Sequence, residues 1–229
     1  MKKVLLIGDS IRQGYDKYVK MAFEGSAEVV YPPENCRFTT FITRHLVNWR
    51  SDLGLDENLD LIHWNVGLWD CLILEDGEYL VPIEIFEYYF ERICKQIRKY
   101  FPRARVIFAT STPVQEHLFH GPFRKNADVR RYNERAVEIA KRYGAEVNDL
   151  YSLVEGCPAS YYSDMTHLYT KEGTRLLTEQ VASSFAMEHN ALYLASNSEN
   201  SASCWVNSFL YRATFLVNPD IVTDSKVDK

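Results

Sequence analysis

The chain has 229 residues, of which 46% are hydrophobic and 25% charged, with a formal net charge of −5. Such a chain buries a core without staples, and this composition excludes wholesale disorder. The negative balance argues against a general nucleic-acid binder, and no apolar run approaches the roughly 20 residues of a membrane span. Cysteines at 36, 71, 94, 157 and 204 form no CxxC pair. They are expected as buried small residues of a reducing compartment, not as a disulfide frame or a zinc site. Met1-Lys2-Lys3 precedes an apolar run of only Val4–Ile7, too short for a signal peptide, so the expected location is cytoplasmic.

In chain order, Val4–Ile7 reads as a strand buried on both faces, stopped by Gly8-Asp9-Ser10. Residues 27–31 make a second strand, closed by Pro32-Pro33. A helix is expected over 38–50. Residues 59–66 make a third strand, ending near Gly67. Residues 82–101 carry Phe86, Phe90, Ile93, Ile97 and Phe101 at helical spacing, with Pro82 near the first turn. Residues 104–110 make a fourth strand. Over 128–143 the spacing of Val129, Tyr132, Ala136, Ile139 and Ala140 predicts a helix, with Asp128 as N-cap and Gly144 as its stop. A short fifth strand is expected at Glu146-Val147 and a last helix over 171–187. The composition then shifts: 195–203 is polar, 204–217 apolar, and the end polar again. Residues 1–190 are therefore read as one α/β domain. Residues 191–229 are read as a linker and appendage docking on the core or on a second subunit, a route to a homo-oligomer.

Strands alternating with helices imply βαβ units and a mostly parallel sheet covered on both faces, a three-layer α/β/α sandwich. Ligands of such sheets lie at the carboxyl ends of the strands. The unusual residues of this chain cluster at those ends.

Gly8-Asp9-Ser10 puts a serine just past the first strand, at a helix start, where its hydroxyl and its N–H are both available. Far along the chain, Tyr162-Ser163-Asp164-Met165-Thr166-His167 precedes the last helix. A serine needs a base to become a nucleophile, and an imidazole needs a carboxylate to orient it. Each motif alone has a simpler reading, an Asp-Ser helix cap or a surface loop. Together they are more specific. The pairing of GDS at the first strand with DxxH before the last helix resembles the GDSL esterases and lipases, the SGNH hydrolases, over roughly residues 3–187.

The resemblance implies a flavodoxin-like sandwich and a serine ester hydrolase acting on short acyl esters, O-acetylated carbohydrates among them. It implies Ser10 as nucleophile, His167 as general base and Asp164 as its orienting partner. No metal or organic cofactor enters that chemistry. The family holds its oxyanion with the serine N–H, a glycine N–H after the second strand and an asparagine side chain after the third. Here the second position reads Glu34-Asn35-Cys36-Arg37, without glycine, so the N–H of Cys36 or Arg37 is the candidate donor. Arg37 is alternatively a grip for an acidic substrate, or a surface residue pairing with Glu34. After the third strand stands Asn65-Val66-Gly67-Leu68-Trp69-Asp70 in place of Gly-x-Asn-Asp. Alignment on glycine puts Trp69 at the asparagine position. Alignment on the strand makes Asn65 the side-chain donor, with Gly67 and Trp69 projecting to the same side of an extended segment.

Asp9, Arg37, Trp69 and Tyr162 are the expected substrate contacts. Trp64, Trp69, Phe119, Tyr161, Tyr162 and Tyr169 either line a cleft for sugar rings or pack the core. His117 and His120 with Glu116 lack a third ligand, so loop histidines are expected there and no metal. His63 is read as a core residue. The expected partner is a small acyl-ester substrate, with no nucleic acid and no membrane. Two alternatives stand beside the hydrolase: a carbohydrate-binding or interaction protein that lost its oxyanion hole, and an acyltransferase using the same acyl-enzyme.

Overall fold

In a computed structural model, residues 1–185 are described. The expected appendage, 191–229, and Cys204 lie outside them. Five strands form one parallel sheet: β1 (Lys2–Ile7), β2 (Ala27–Val30), β3 (Leu61–Trp64), β4 (Arg105–Ala109) and β5 (Glu146–Asn148), in the order β2-β1-β3-β4-β5. The helices are α1 (Ser10–Ala22), α2 (Thr39–Asp52), α3 (Ile83–Tyr100), α4 (Asn126–Arg142), α5 (Leu150–Val154) and α6 (Lys171–Phe185). α1 packs on α6, α2 on α3 and α3 on α4, giving a helical layer on each face.

The strands are short and apolar because both faces are covered. Val4–Ile7 and all of β3 are buried. The order reverses between β1 and β3, which pair in register from Val4 with Leu61 to Ile7 with Trp64. Chain leaving β1 turns toward β2, whereas chain leaving β3 turns toward β4. This divergence opens the crevice in which such folds take ligands. Ser10 and Asn65 stand at its two lips.

The helices expected over 38–50, 82–101 and 128–143 are found to within two residues at each end, and the last begins at Lys171 as expected, its expected end at 187 lying outside the described residues. Two corrections follow from local chemistry. Asp128 is not the N-cap of α4. The helix begins at Asn126, and Asp128, in its first turn, accepts the Tyr79 hydroxyl at 2.9 Å. Trp64, considered for the cleft, is fully buried against Phe90 and Phe108 in the core.

Polar knots tie the sheet edge to the helices. Arg12 on α1 is only 1% exposed. Its Nη1 donates to Asp16 Oδ2 at 2.5 Å and to Pro32 O at 3.0 Å, and its Nη2 to Glu34 O at 2.6 Å. One guanidinium thus clamps α1 to the loop between β2 and α2. Arginine serves here because its planar fork spreads donors over several acceptors without losing charge. Cys36, Cys71, Cys94 and Cys157 are free; the first three are buried, as expected, with burial pushing their thiols up to about 11, 12 and 12, whereas Cys157 is half-buried.

Arg12→Ala should lower the unfolding free energy by about 3–5 kcal/mol, because it takes the charged donor from Asp16 Oδ2 and from two backbone carbonyls. Urea unfolding checks this; a loss under about 1 kcal/mol would show that the clamp is dispensable.

Candidate active site

β1 ends at Ile7, and α1 begins only two residues beyond Gly8, at Ser10. Asp9 caps that helix, its Oδ1 accepting the Ile11 N–H at 2.9 Å. The same oxygen accepts Asn65 Nδ2 at 3.1 Å. Asn65 reaches it because residue 8 has no side chain. A Cβ on Gly8 would stand 2.0 Å from Asn65 Oδ1. Asp9 is fully buried, so the expectation that it touches substrate is corrected: its carboxylate is the internal anchor of the serine turn. Burial pushes its carboxyl up, while the bonds from Asn65 and Ile11 pull it back in part.

Ser10 meets the far end of the chain. His167 Nε2 lies 2.8 Å from Ser10 Oγ, and His167 Nδ1 lies 2.7 Å from Asp164 Oδ2. The other Asp164 oxygen accepts the N–H groups of Thr166 and His167 at 2.7 and 2.8 Å. Burial raises the Asp164 carboxyl, but those N–H bonds and the His167 ring outweigh it, holding the group below its ordinary range. The turn is closed by the Ser163 N–H on His167 O at 2.8 Å. Hydroxyl, imidazole and carboxylate therefore form one hydrogen-bonded line, the arrangement in which a base can take a serine proton while a carboxylate stabilises the resulting charge.

Tyr169 supports this line from the side, a role that its place in the sequence did not signal. Its ring stacks on His167 at 4.6 Å with 26° between planes, and its hydroxyl donates to Ser10 O at 2.6 Å. The ring lies over Gly14 of α1, where a Cβ would stand 2.7 Å from Tyr169 Cε1.

The expected oxyanion donors divide. The N–H of Cys36 donates to Gly8 O at 3.1 Å and that of Arg37 to Asn35 Oδ1 at 2.8 Å. Both are engaged, which corrects their assignment as free backbone donors. Arg37 adopts a left-handed backbone, φ 53°, where glycine is the easier residue. Its guanidinium lies over the Phe41 ring, centroid distance 5.2 Å, and makes no ion pair with Glu34, whose Oε1 takes the Trp49 indole. The N–H groups of Ser10 and Gly67 have no acceptor among the described residues. Gly67, at φ 137°, turns the chain off β3, and Cys71 N donates to its carbonyl at 3.0 Å. The segment is therefore not extended as far as Trp69, and the same-side projection expected for Gly67 and Trp69 does not hold. Trp69 is half-buried. The Tyr162 hydroxyl donates to Pro113 O at 3.0 Å, which ties two loops together instead of leaving it free for substrate.

Asp70 closes the floor. Its Oδ1 accepts the N–H and hydroxyl of Thr39 at 3.0 and 2.6 Å, at the start of α2. Burial pushes its carboxyl up to about 7, although the Thr39 bonds oppose that. His63 is buried in β3, held neutral by desolvation with its pKa near 3. Among the described residues no three His, Cys, Asp or Glu side chains are grouped to hold a metal, and no helix is long and apolar enough to cross a membrane.

No family model matches the chain, and no curated protein does. Solved structures do. An acetyl xylan esterase, AlAXEase, superposes with a TM-score of 0.65 at 16% identity, over 80% of this chain and 98% of that one. A lipase/acylhydrolase from Enterococcus faecalis gives 0.65 at 19%, over 82% and 97%. A member of the lipolytic protein G-D-S-L family from Veillonella parvula gives 0.60 at 15%, over 81% and 99%. At these identities the likeness establishes a shared fold, the three-layer sandwich expected from the sequence.

Between about pH 4 and 7 the folded protein keeps a proton on Asp70 that the unfolded chain has released. Unfolding therefore frees a proton, and Asp70 makes stability fall as pH rises through that window. Urea midpoints from pH 5 to 8 should decline less in Asp70→Asn than in the wild type; parallel curves would deny Asp70 this role.

Proposed function

We propose that the protein is a serine ester hydrolase of the GDSL/SGNH type, removing short acyl groups, O-acetyl groups on carbohydrates among them. The observation that carries this reading is the 2.8 Å contact between Ser10 Oγ and His167 Nε2, backed by Asp164 at 2.7 Å. The names of the structurally similar esterases and lipases agree with it.

Ser10 Oγ attacks the ester carbonyl as His167 Nε2 takes its proton. Asp164 holds the Nδ1 proton and stabilises the imidazolium. Negative charge develops on the former carbonyl oxygen, within reach of the free Ser10 N–H at the start of α1, whose dipole favours an anion. The Gly67 N–H and the second hydrogen of Asn65 Nδ2 complete the donor set. His167 then returns its proton to the leaving alcohol. Water enters by the reverse path with His167 again as base, and releases the acid. No cofactor takes part in these steps. The second reading, a binding protein with a lapsed oxyanion hole, draws on the engaged N–H groups of Cys36 and Arg37. It gives no role to a complete Ser–His–Asp line.

A fluorophosphonate probe should label the wild type and not Ser10→Ala; an unlabelled, folded wild type favours the binding reading. Ser10→Ala and His167→Ala should each lower p-nitrophenyl acetate turnover by about 10³-fold or more, and Asp164→Ala by about 10²–10⁴-fold. Wild-type turnover in either of the first two removes the assignment. Asn65→Ala should cost about 10²–10³ in kcat with KM nearly constant, and an unchanged kcat returns the oxyanion to backbone donors alone. Gly14→Ala displaces the Tyr169 ring from His167 and should lower kcat by about 10–10²-fold. Full activity in that variant would make the stack incidental.

A further inference from the structure

Arg124 is a charged group beside the β3 loop whose chemistry the steps above do not use. It follows Phe123, which is fixed to Ile73 by an antiparallel bridge with bonds of 2.8 and 3.0 Å, and it precedes α4. It is only 8% exposed. Its Nε donates to Leu68 O, on the loop that leaves β3 just beyond Asn65. The two terminal nitrogens have no hydrogen-bond partner among the described residues, and neither is sealed from solvent. A guanidinium keeps its charge at every physiological pH and carries donors in a planar fork. Burying one without an anion is costly.

The groups whose charge acts on Arg124 are Cys71 and Asp9. Cys71 is a buried thiol pushed up to about 12, so it is neutral. Asp9 is already bound by Asn65 and Ile11. Asp9 also feels His167, so Arg124 and the imidazole act on one carboxylate. Arg37, by contrast, is exposed and covers the Phe41 ring.

We propose that Arg124 is the anion-binding group of the cleft, taking up a carboxylate carried by the ester substrate through its two terminal nitrogens. The preferred substrates are then acidic esters, the charge lying on the acyl or on the alcohol part. The planar fork matches a carboxylate in a two-point contact, and burial strengthens that contact by excluding competing water. The inference rests on the ester-hydrolase reading and deepens it.

Two esters that differ by one charge, 4-acetoxybenzoate and 4-acetoxybenzamide, test it. The wild type should favour the anionic ester by about tenfold or more in kcat/KM, mainly through KM. Arg124→Gln should erase that ratio, and Arg124→Lys should keep part of it, since the charge stays while the fork is lost. The ratio is the readout, so a general loss of activity does not imitate the result. Equal ratios in wild type and Arg124→Gln overturn the proposal. Should Arg124→Gln not fold, inhibition of the wild type decides: benzoate competing no better than benzamide overturns it. If the wild type cleaves neither ester, the hydrolase reading fails by itself. Calorimetry of benzoate and of inorganic phosphate with Ser10→Ala then judges the anion site separately. Binding of benzoate in preference to phosphate, lost on adding Arg124→Gln, supports it, and no benzoate binding, or phosphate preferred, overturns it.

Discussion

Everything at the site is referred to the two residues between β1 and α1. A chain that passes from strand to helix in so short a space must supply a cap, a bare backbone for its neighbour and acceptors for nearby donors. Gly8 leaves the space that Asn65 fills, and Gly8 O accepts the Cys36 N–H. Asp9 caps the helix and holds Asn65. Ser10 O receives the Tyr169 hydroxyl. The turn is thereby tied to the loops after β2 and β3 and to the segment before α6. Arg12, two residues further along α1, adds the clamp on the β2–α2 loop.

The electrostatics of the crevice are uneven. Two fully buried carboxyl groups, Asp9 and Asp70, are both pushed up by burial, and the charge of Asp9 adds to the rise of Asp70. Neither is arranged as a proton donor to Ser10. They hold backbone: Asp9 at the start of α1, Asp70 at the start of α2. Asp164, which faces His167, is the exposed one of the three carboxylates and the one held below its ordinary range. Burial and function are thus divided among the carboxylates: the buried pair shape the chain, and the exposed one orients the imidazole. Arg124 supplies the opposing charge on the β3 side of the opening.

Much of this was legible in the sequence because it follows from period and punctuation. Apolar runs stopped by Gly, Pro or Ser located the strands, and threefold and fourfold spacing located the helices. The Ser10, Asp164 and His167 assignment came from motif chemistry together with a family resemblance. What could not be read was where individual hydrogen bonds go. Nothing in Asn35-Cys36-Arg37 says that two N–H groups are donated to Gly8 O and Asn35 Oδ1. Nothing in Gly8-Asp9-Ser10 says that Asp9 faces inward. Arg124 belongs to a loop without periodicity, so one arginine there reads as surface until the fold buries it. Nor does Asn35-Cys36-Arg37 reveal that Arg37 adopts a left-handed backbone, where glycine is the easier residue.

The turn from Ser163 to His167 is closed largely within itself, with one outside tie from the Gln115 N–H to Met165 O at 2.8 Å. Both Asp164 oxygens are engaged by Thr166 and His167, and Ser163 closes onto the His167 carbonyl through its N–H and its hydroxyl at 3.1 Å. His167 and Asp164 are therefore a prefabricated cartridge, seated against the serine by the Nε2–Oγ contact and the Tyr169 latch, and against the loop after β4 by the Gln115 N–H. If the segment ahead of α6 withdrew, it would carry away an assembled pair instead of dismantling one. Re-engagement would then require aligning two rigid pieces, not three independent side chains.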